Sequence, residues 1–79
     1  MSDIKYEIIK EVGVFAENSK GWTKEVNMVS WNGAEPKYDI RSWSPNHERM
    51  GKGIVLTEDE AKALKEVLER EVQCLEYFL

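Results

Sequence analysis

An α+β fold, a four-stranded antiparallel sheet followed by one C-terminal helix, is what the order of hydrophobic periods predicts. Alternating segments separated by turn residues fill positions 6–56, and a capped stripe with helical spacing fills most of the rest. No internal repeat, low-complexity tract or linker-like Pro/Gly/Ser stretch interrupts the 79 residues, so the chain reads as a single domain over 1–79.

The first strand is expected from Tyr6 to Ala16, where Tyr6, Ile8, Val12 and Val14 are set against Glu7 and Glu11, with Lys10 interrupting the apolar side. Asn18-Ser19-Lys20-Gly21 supplies turn chemistry, and Trp22 to Asn32 resumes as a second strand through Val26, Met28, Val29 and Trp31. Val26 and Val29 have opposite parity, which requires either two partly buried faces or a bulge near Asn27. Asn32-Gly33 signals a hairpin, and Ala34-Glu35-Pro36 lengthens its loop.

The third strand, Lys37 to Trp43, places Lys37, Asp39, Arg41 and Trp43 on one face and Tyr38, Ile40 and Ser42 on the other. Ser44-Pro45-Asn46-His47 breaks it, and Gly51-Lys52-Gly53 leads into a short fourth strand at Ile54-Val55-Leu56, the glycines suiting a bulge or tight turn. Thr57 and Glu60 match a capping box, and Ala61, Leu64, Val67, Leu68, Val72 and Leu75 recur at helical spacing, so a helix is predicted from Glu58 to Glu71 or beyond. One sheet face is expected under this helix, leaving the other to solvent or ligand.

A domain of this size buries only about 60% of the surface of its unfolded chain and needs a staple. One cysteine excludes an internal disulfide, and one cysteine with one histidine cannot make up a structural zinc set, so self-association is the expected staple. Cys74 reads as a partly buried structural thiol in a reducing compartment. No run approaches the roughly 20 apolar residues of a membrane span, and the N-terminal residues lack the apolar core of a signal peptide. A cytoplasmic location is expected, with nucleoid association compatible with it.

The net charge of −4 conceals an asymmetry. Residues 20–53 carry six basic and four acidic groups and all three tryptophans, whereas residues 54–79 carry three basic and seven acidic groups. The cationic stretch is therefore the one rich in flat stacking surfaces. No acid–base or nucleophile constellation stands out: Glu58, Asp59 and Glu60 suit helix capping, and His47 reads as a solvated or phosphate-touching loop residue. No enzyme activity, metal or cofactor is expected. Gly51-Lys52-Gly53 lacks the spacing of a nucleotide-binding loop, although Lys52 is free to touch a phosphate. Arg41 and Trp43, two residues apart on one strand, can combine a phosphate contact with base stacking, Lys37 extends their row, and Asp39 is expected to orient Arg41 or Lys37 by ion pairing. Trp31, beside Val29, reads rather as core; Trp43 reads as a ligand platform.

Tyr38-Asp39-Ile40-Arg41, the aromatic and proline loop after it, Gly51-Lys52-Gly53-Ile54 and the capped helix together resemble the YdbC-like bacterial members of the transcriptional positive cofactor four family, over nearly the whole chain. The resemblance implies a homodimer of curved four-stranded sheets, joined largely through the C-terminal helices, that grips single-stranded DNA; because stacking tolerates any base, the binding is expected to be without sequence specificity, in transcription or DNA maintenance. Carried over residue by residue, it places Arg41, Trp43 and Lys52 on the nucleic-acid surface with Lys37 beside them, and adds Trp22, Lys24 and Asn27. The turn Asn32-Gly33-Ala34-Glu35 is less basic than the corresponding hairpin of the eukaryotic relatives. Two other readings stay open: an RNA-binding regulator or chaperone using the same face, and a protein-interaction module using an exposed sheet edge or the tail Tyr77-Phe78-Leu79.

Overall fold

The computed structural model describes the backbone of residues 5–78 and the side chains of residues 5–73. The side chains of Cys74 and of the Tyr77-Phe78-Leu79 tail lie outside the described residues.

The chain runs β1 (Tyr6–Glu17), β2 (Thr23–Trp31), β3 (Lys37–Trp43), a short 3-10 turn at Pro45–His47, β4 (Met50–Leu56) and α1 (Glu58–Phe78). The strands form one sheet in the order β1-β2-β3-β4, with every neighbouring pair antiparallel. The α+β meander predicted from the sequence is the observed architecture. Its turns follow local chemistry. Asn18 Oδ1 accepts hydrogen bonds from the backbone N–H groups of Lys20 and Trp22 at 2.9 and 3.0 Å, and Gly21 takes the positive φ of 85° that closes the turn. At the second hairpin Asn32 and Gly33 both lie at positive φ, 52° and 77°, and Ala34 N–H donates to Trp31 O. That is the mirror-image turn for which Asn-Gly is suited, and Ala34 to Pro36 extend it before β3 begins. Thr57 Oγ1 accepts from Glu60 N–H while Glu60 Oε1 accepts from Thr57 N–H, so the reciprocal cap that starts α1 is formed and contributes about 1 kcal/mol.

β1 departs from the simple alternation expected of it. Its pairing with β2 slips between Ile8 and Lys10, between Glu11 and Gly13, and between Val14 and Ala16, inserting Ile9, Val12 and Phe15 as extra residues at steps of three. These three side chains are exposed. Each bulge bends the strand and increases its twist, and three in succession coil the edge of the sheet. β2 itself pairs with β3 without a slip, and its burial alternates between buried and half-buried positions. The opposite parity of Val26 and Val29 therefore reflects two partly buried faces rather than a bulge near Asn27. The irregularity at Gly51-Lys52 lies opposite the step from Arg41 to Trp43, as the glycine pattern suggested.

The coiling reverses the expected roles of the two faces. Tyr6 pairs with Trp31 at one end of β2, and Trp43 pairs with Thr23 at the other, eight residues away. A flat strand of that length would span about 26 Å. Yet the Tyr6 ring centroid lies 5.7 Å from both indoles, so this face is concave and closes on itself. Glu25, Asn27 and Val29 from β2 and Asp39 and Trp43 from β3 are all buried on it. The opposite face, with Val26, Tyr38, Ile40 and Leu56, is only half-buried. It forms one wall of an open cleft of about 830 Å³ whose other wall is α1 through Ala61, Leu64, Leu68 and Val72. Leu68 and Val72 remain 52% and 46% exposed, because only the first turns of α1 come down onto the sheet.

Candidate nucleic-acid interface

The polar members of the concave face form two buried clusters. Asp39, with 0% side-chain exposure, accepts from Arg41 Nε at 2.6 Å and from Arg41 Nη2 at 2.7 Å, a fork-to-fork pair between residues two apart on β3. Arg41 Nη1 donates to Gly51 O at 3.2 Å and lies 3.8 Å from Met50 Sδ, so all three guanidinium nitrogens are engaged. The guanidinium carbon sits 5.0 Å from the centre of the Trp31 ring, a cation–π arrangement made possible by the coil of the sheet. Gly53, which pairs with Arg41, has no room for a side chain: a Cβ there would run into Arg41 Cβ and Ile40 O. The expected ion pairing of Asp39 thus falls on Arg41.

Glu25 anchors the second cluster. Its carboxylate, in a residue 5% exposed, accepts from Thr23 Oγ1 at 2.7 Å and Asn27 Nδ2 at 3.1 Å, and His47 Nε2 lies within 2.9 and 3.0 Å of its two oxygens. Burial by itself would raise the pKa of this carboxyl, but the hydrogen bonds from Thr23, Asn27 and His47 and the charge of His47 outweigh it, and the pKa is lowered from 4.5. The His47 ring also stacks on Trp43, with centroids 4.4 Å apart and planes inclined by 19°.

These contacts correct several expectations. Trp43, predicted as an open ligand platform, is fully buried, with Tyr6 and His47 against it. Trp31, expected as core, is half-buried. Asn27, carried over as a nucleic-acid residue, is 1% exposed and serves Glu25. His47 is not a solvated loop residue: it spans Glu25 and Trp43. Lys37 and Lys52 are exposed, Lys37 on the strand face that carries Arg41 and Lys52 within the β4 irregularity. Trp22 and Lys24 do not join them. They line a separate cleft of about 220 Å³ with Ala16, Asn18 and Ser42, and a Cβ at Gly51 would lie 3.4 Å from Trp22 Cζ3. The seven residues therefore divide between two sides of the sheet. Tyr6 and the pairing of Glu25 with His47 escaped the sequence reading because those contacts span 22 or more residues, with no local spacing to mark them.

A family model described as Transcriptional Coactivator p15 (PC4) matches residues 18–67, from the first turn through the first half of α1. The chain belongs to the PC4 family. A protein of Treponema pallidum (strain Nichols), described as an uncharacterized protein, is 44% identical over 66 residues, covering 84% of this chain and 78% of its own length. The PC4 segment contains both buried clusters, Trp31, Lys37 and Lys52, whereas Tyr6, which bridges the two indoles, comes from the strand ahead of it. Among the described residues no helix is long and apolar enough to cross a membrane.

Proposed function

We propose that this PC4-family chain binds single-stranded DNA, without sequence preference, on the concave face of its sheet, acts as a homodimer, and serves transcription or DNA maintenance rather than catalysis. The observation that carries this reading is the guanidinium of Arg41, locked by Asp39 and held over the Trp31 ring. It makes an aromatic-lined concavity in which the Arg41 charge is balanced by Asp39, with Lys37 and Lys52 as the exposed cations beside it. Backbone phosphates suit the cations, and bases suit the aromatic surface, in a way that tolerates any sequence. In a duplex the base faces are already stacked on one another, and the helix offers no alternative for groove reading, because its first turn is Glu58, Asp59 and Glu60.

A second copy of the chain is the expected occupant of the cleft between sheet and helix. Leu68 and Val72 are too exposed, and the hydrophobic set buried among the described residues, Val29 and Trp43, too small, for a 79-residue monomer to be comfortable alone. Competition is the direct test of the nucleic-acid reading: labelled poly-thymidine should be displaced by unlabelled single strands of mixed sequence far better than by the same strands annealed to their complements. Equal displacement by duplex would refute it. RNA strands of the same sequence, run in parallel, decide between DNA and RNA.

A further inference from the structure

We propose that the strap from Ser44 to Arg49 is a displaceable cover, and that His47 holds on Trp43 the place a nucleobase takes when a single strand binds. This rests on the single-strand reading above and adds the step by which a buried tryptophan becomes available to it.

The His47 ring imitates a stacked base: it lies nearly parallel to the indole, 4.4 Å away, and is itself partly open to solvent, with 32% side-chain exposure. The strap is secured at its base, and at its tip His47 N–H donates to Ser44 O at 2.9 Å while the ring contacts Glu25 and Trp43. Ser44 N–H donates to Arg49 O at 2.9 Å, and Ser44 Oγ accepts from Arg49 N–H at 2.7 Å, so the two ends are pinned together. At the tip, Asn46 and His47 both occupy left-handed backbone, φ 61° and 59°, which is unfavourable for residues with a side chain. Contacts of the His47 ring with Glu25 and Trp43 offset that strain, and releasing the ring relaxes it.

Opening leaves little undone behind it. Glu25 keeps its bonds from Thr23 and Asn27 when His47 departs, so the buried carboxylate is not orphaned. The Nε1–H of Trp43 is buried and has no acceptor among the described residues.

His47 is the one histidine of the sequence, so its ring-proton NMR signals need no assignment. In the free protein they should lie upfield under the ring current of Trp43. Saturation with an oligothymidine should return them to the positions of an unstacked histidine. His47→Gly, which removes the ring and suits the left-handed backbone, should bind the same strand at least about threefold tighter, since no closed population competes. Glu25→Gln, which loosens the tip and keeps the side-chain shape, should move in the same direction. If the oligothymidine binds, as read by fluorescence anisotropy, while the histidine signals stay upfield, or if His47→Gly weakens binding, the cover is refuted and the single-strand reading stands. If neither wild type nor His47→Gly binds, both readings fall.

Discussion

Breaking the Asp39–Arg41 pair should cost far more than a surface ion pair, and by different amounts from its two ends. Asp39 has 0% and Arg41 12% side-chain exposure, so removing either partner strands a charge away from water, a loss of about 3–5 kcal/mol for a buried pair. In Asp39→Ala the guanidinium keeps Gly51 O and the Trp31 ring, which places that variant near the low end, about 3 kcal/mol. At 4–8 °C per kcal/mol for a domain of this size, the melting temperature should fall by about 12–24 °C. Arg41→Ala strands a carboxylate that has no other donor among the described residues, so it belongs near the upper end, about 5 kcal/mol. A 79-residue domain has only about 4–12 kcal/mol in hand, so this variant approaches outright unfolding. The double variant should lose less than the sum of the two, with a coupling of about 2–3 kcal/mol. Urea denaturation of the four proteins at one fixed protein concentration, followed by tryptophan fluorescence, measures all of these terms. Single losses under about 1 kcal/mol, or a coupling under about 0.5 kcal/mol, would refute the view that this pair is buried and mutually dependent. Arg41→Ala is for the same reason a poor probe of phosphate binding: it removes the fold's support along with the contact.

Three further outcomes are expected. Glu25 titrates below its ordinary 4.5 in the folded protein, so its contribution to stability is complete above that value and lost as pH falls through the lower folded one. Glu25→Gln should therefore be less stable than wild type near about pH 6, with the gap closing towards about pH 3 in urea titrations; a gap independent of pH would contradict this. Gly53→Ala should destabilise by about 1–3 kcal/mol in the same assay, because its methyl group meets Arg41 Cβ and the Ile40 carbonyl, and an unchanged midpoint would show that β3 and β4 are not so close. Leu68→Asp, at a position 52% exposed in the single chain, should dissociate the dimer, so that light scattering no longer reports twice 9.2 kDa and the separated chain melts at a lower temperature, and an intact dimer would place the interface elsewhere.

What could be read from the sequence alone is what local chemistry decides. The Asn18 and Asn32-Gly33 turns, the Thr57–Glu60 cap, the period-two faces of β3 and the Asp39–Arg41 pairing each involve residues within a few positions of one another, so spacing specifies them directly. Family membership was legible for a related reason, since its markers are short motifs in a particular order along residues 18–67. Which face of the sheet lies inside could not be read in this way. Alternation on β3 separates Lys37, Asp39, Arg41 and Trp43 from Tyr38, Ile40 and Ser42, but a polar, aromatic face looks like the solvent side until the curvature is known. Three bulges in β1 supply that curvature. They bring Tyr6 onto Trp31 and Trp43 and the coiled face over the Arg41 guanidinium, while the strap behind β3 carries His47 back to Glu25. Burial of charge on the inner face is tolerated because Asp39 and Glu25 each find donors there: Arg41, Thr23 and Asn27 stand two residues away on the same strands, and His47 alone among these donors is brought from a distance, by the strap that folds back to Glu25.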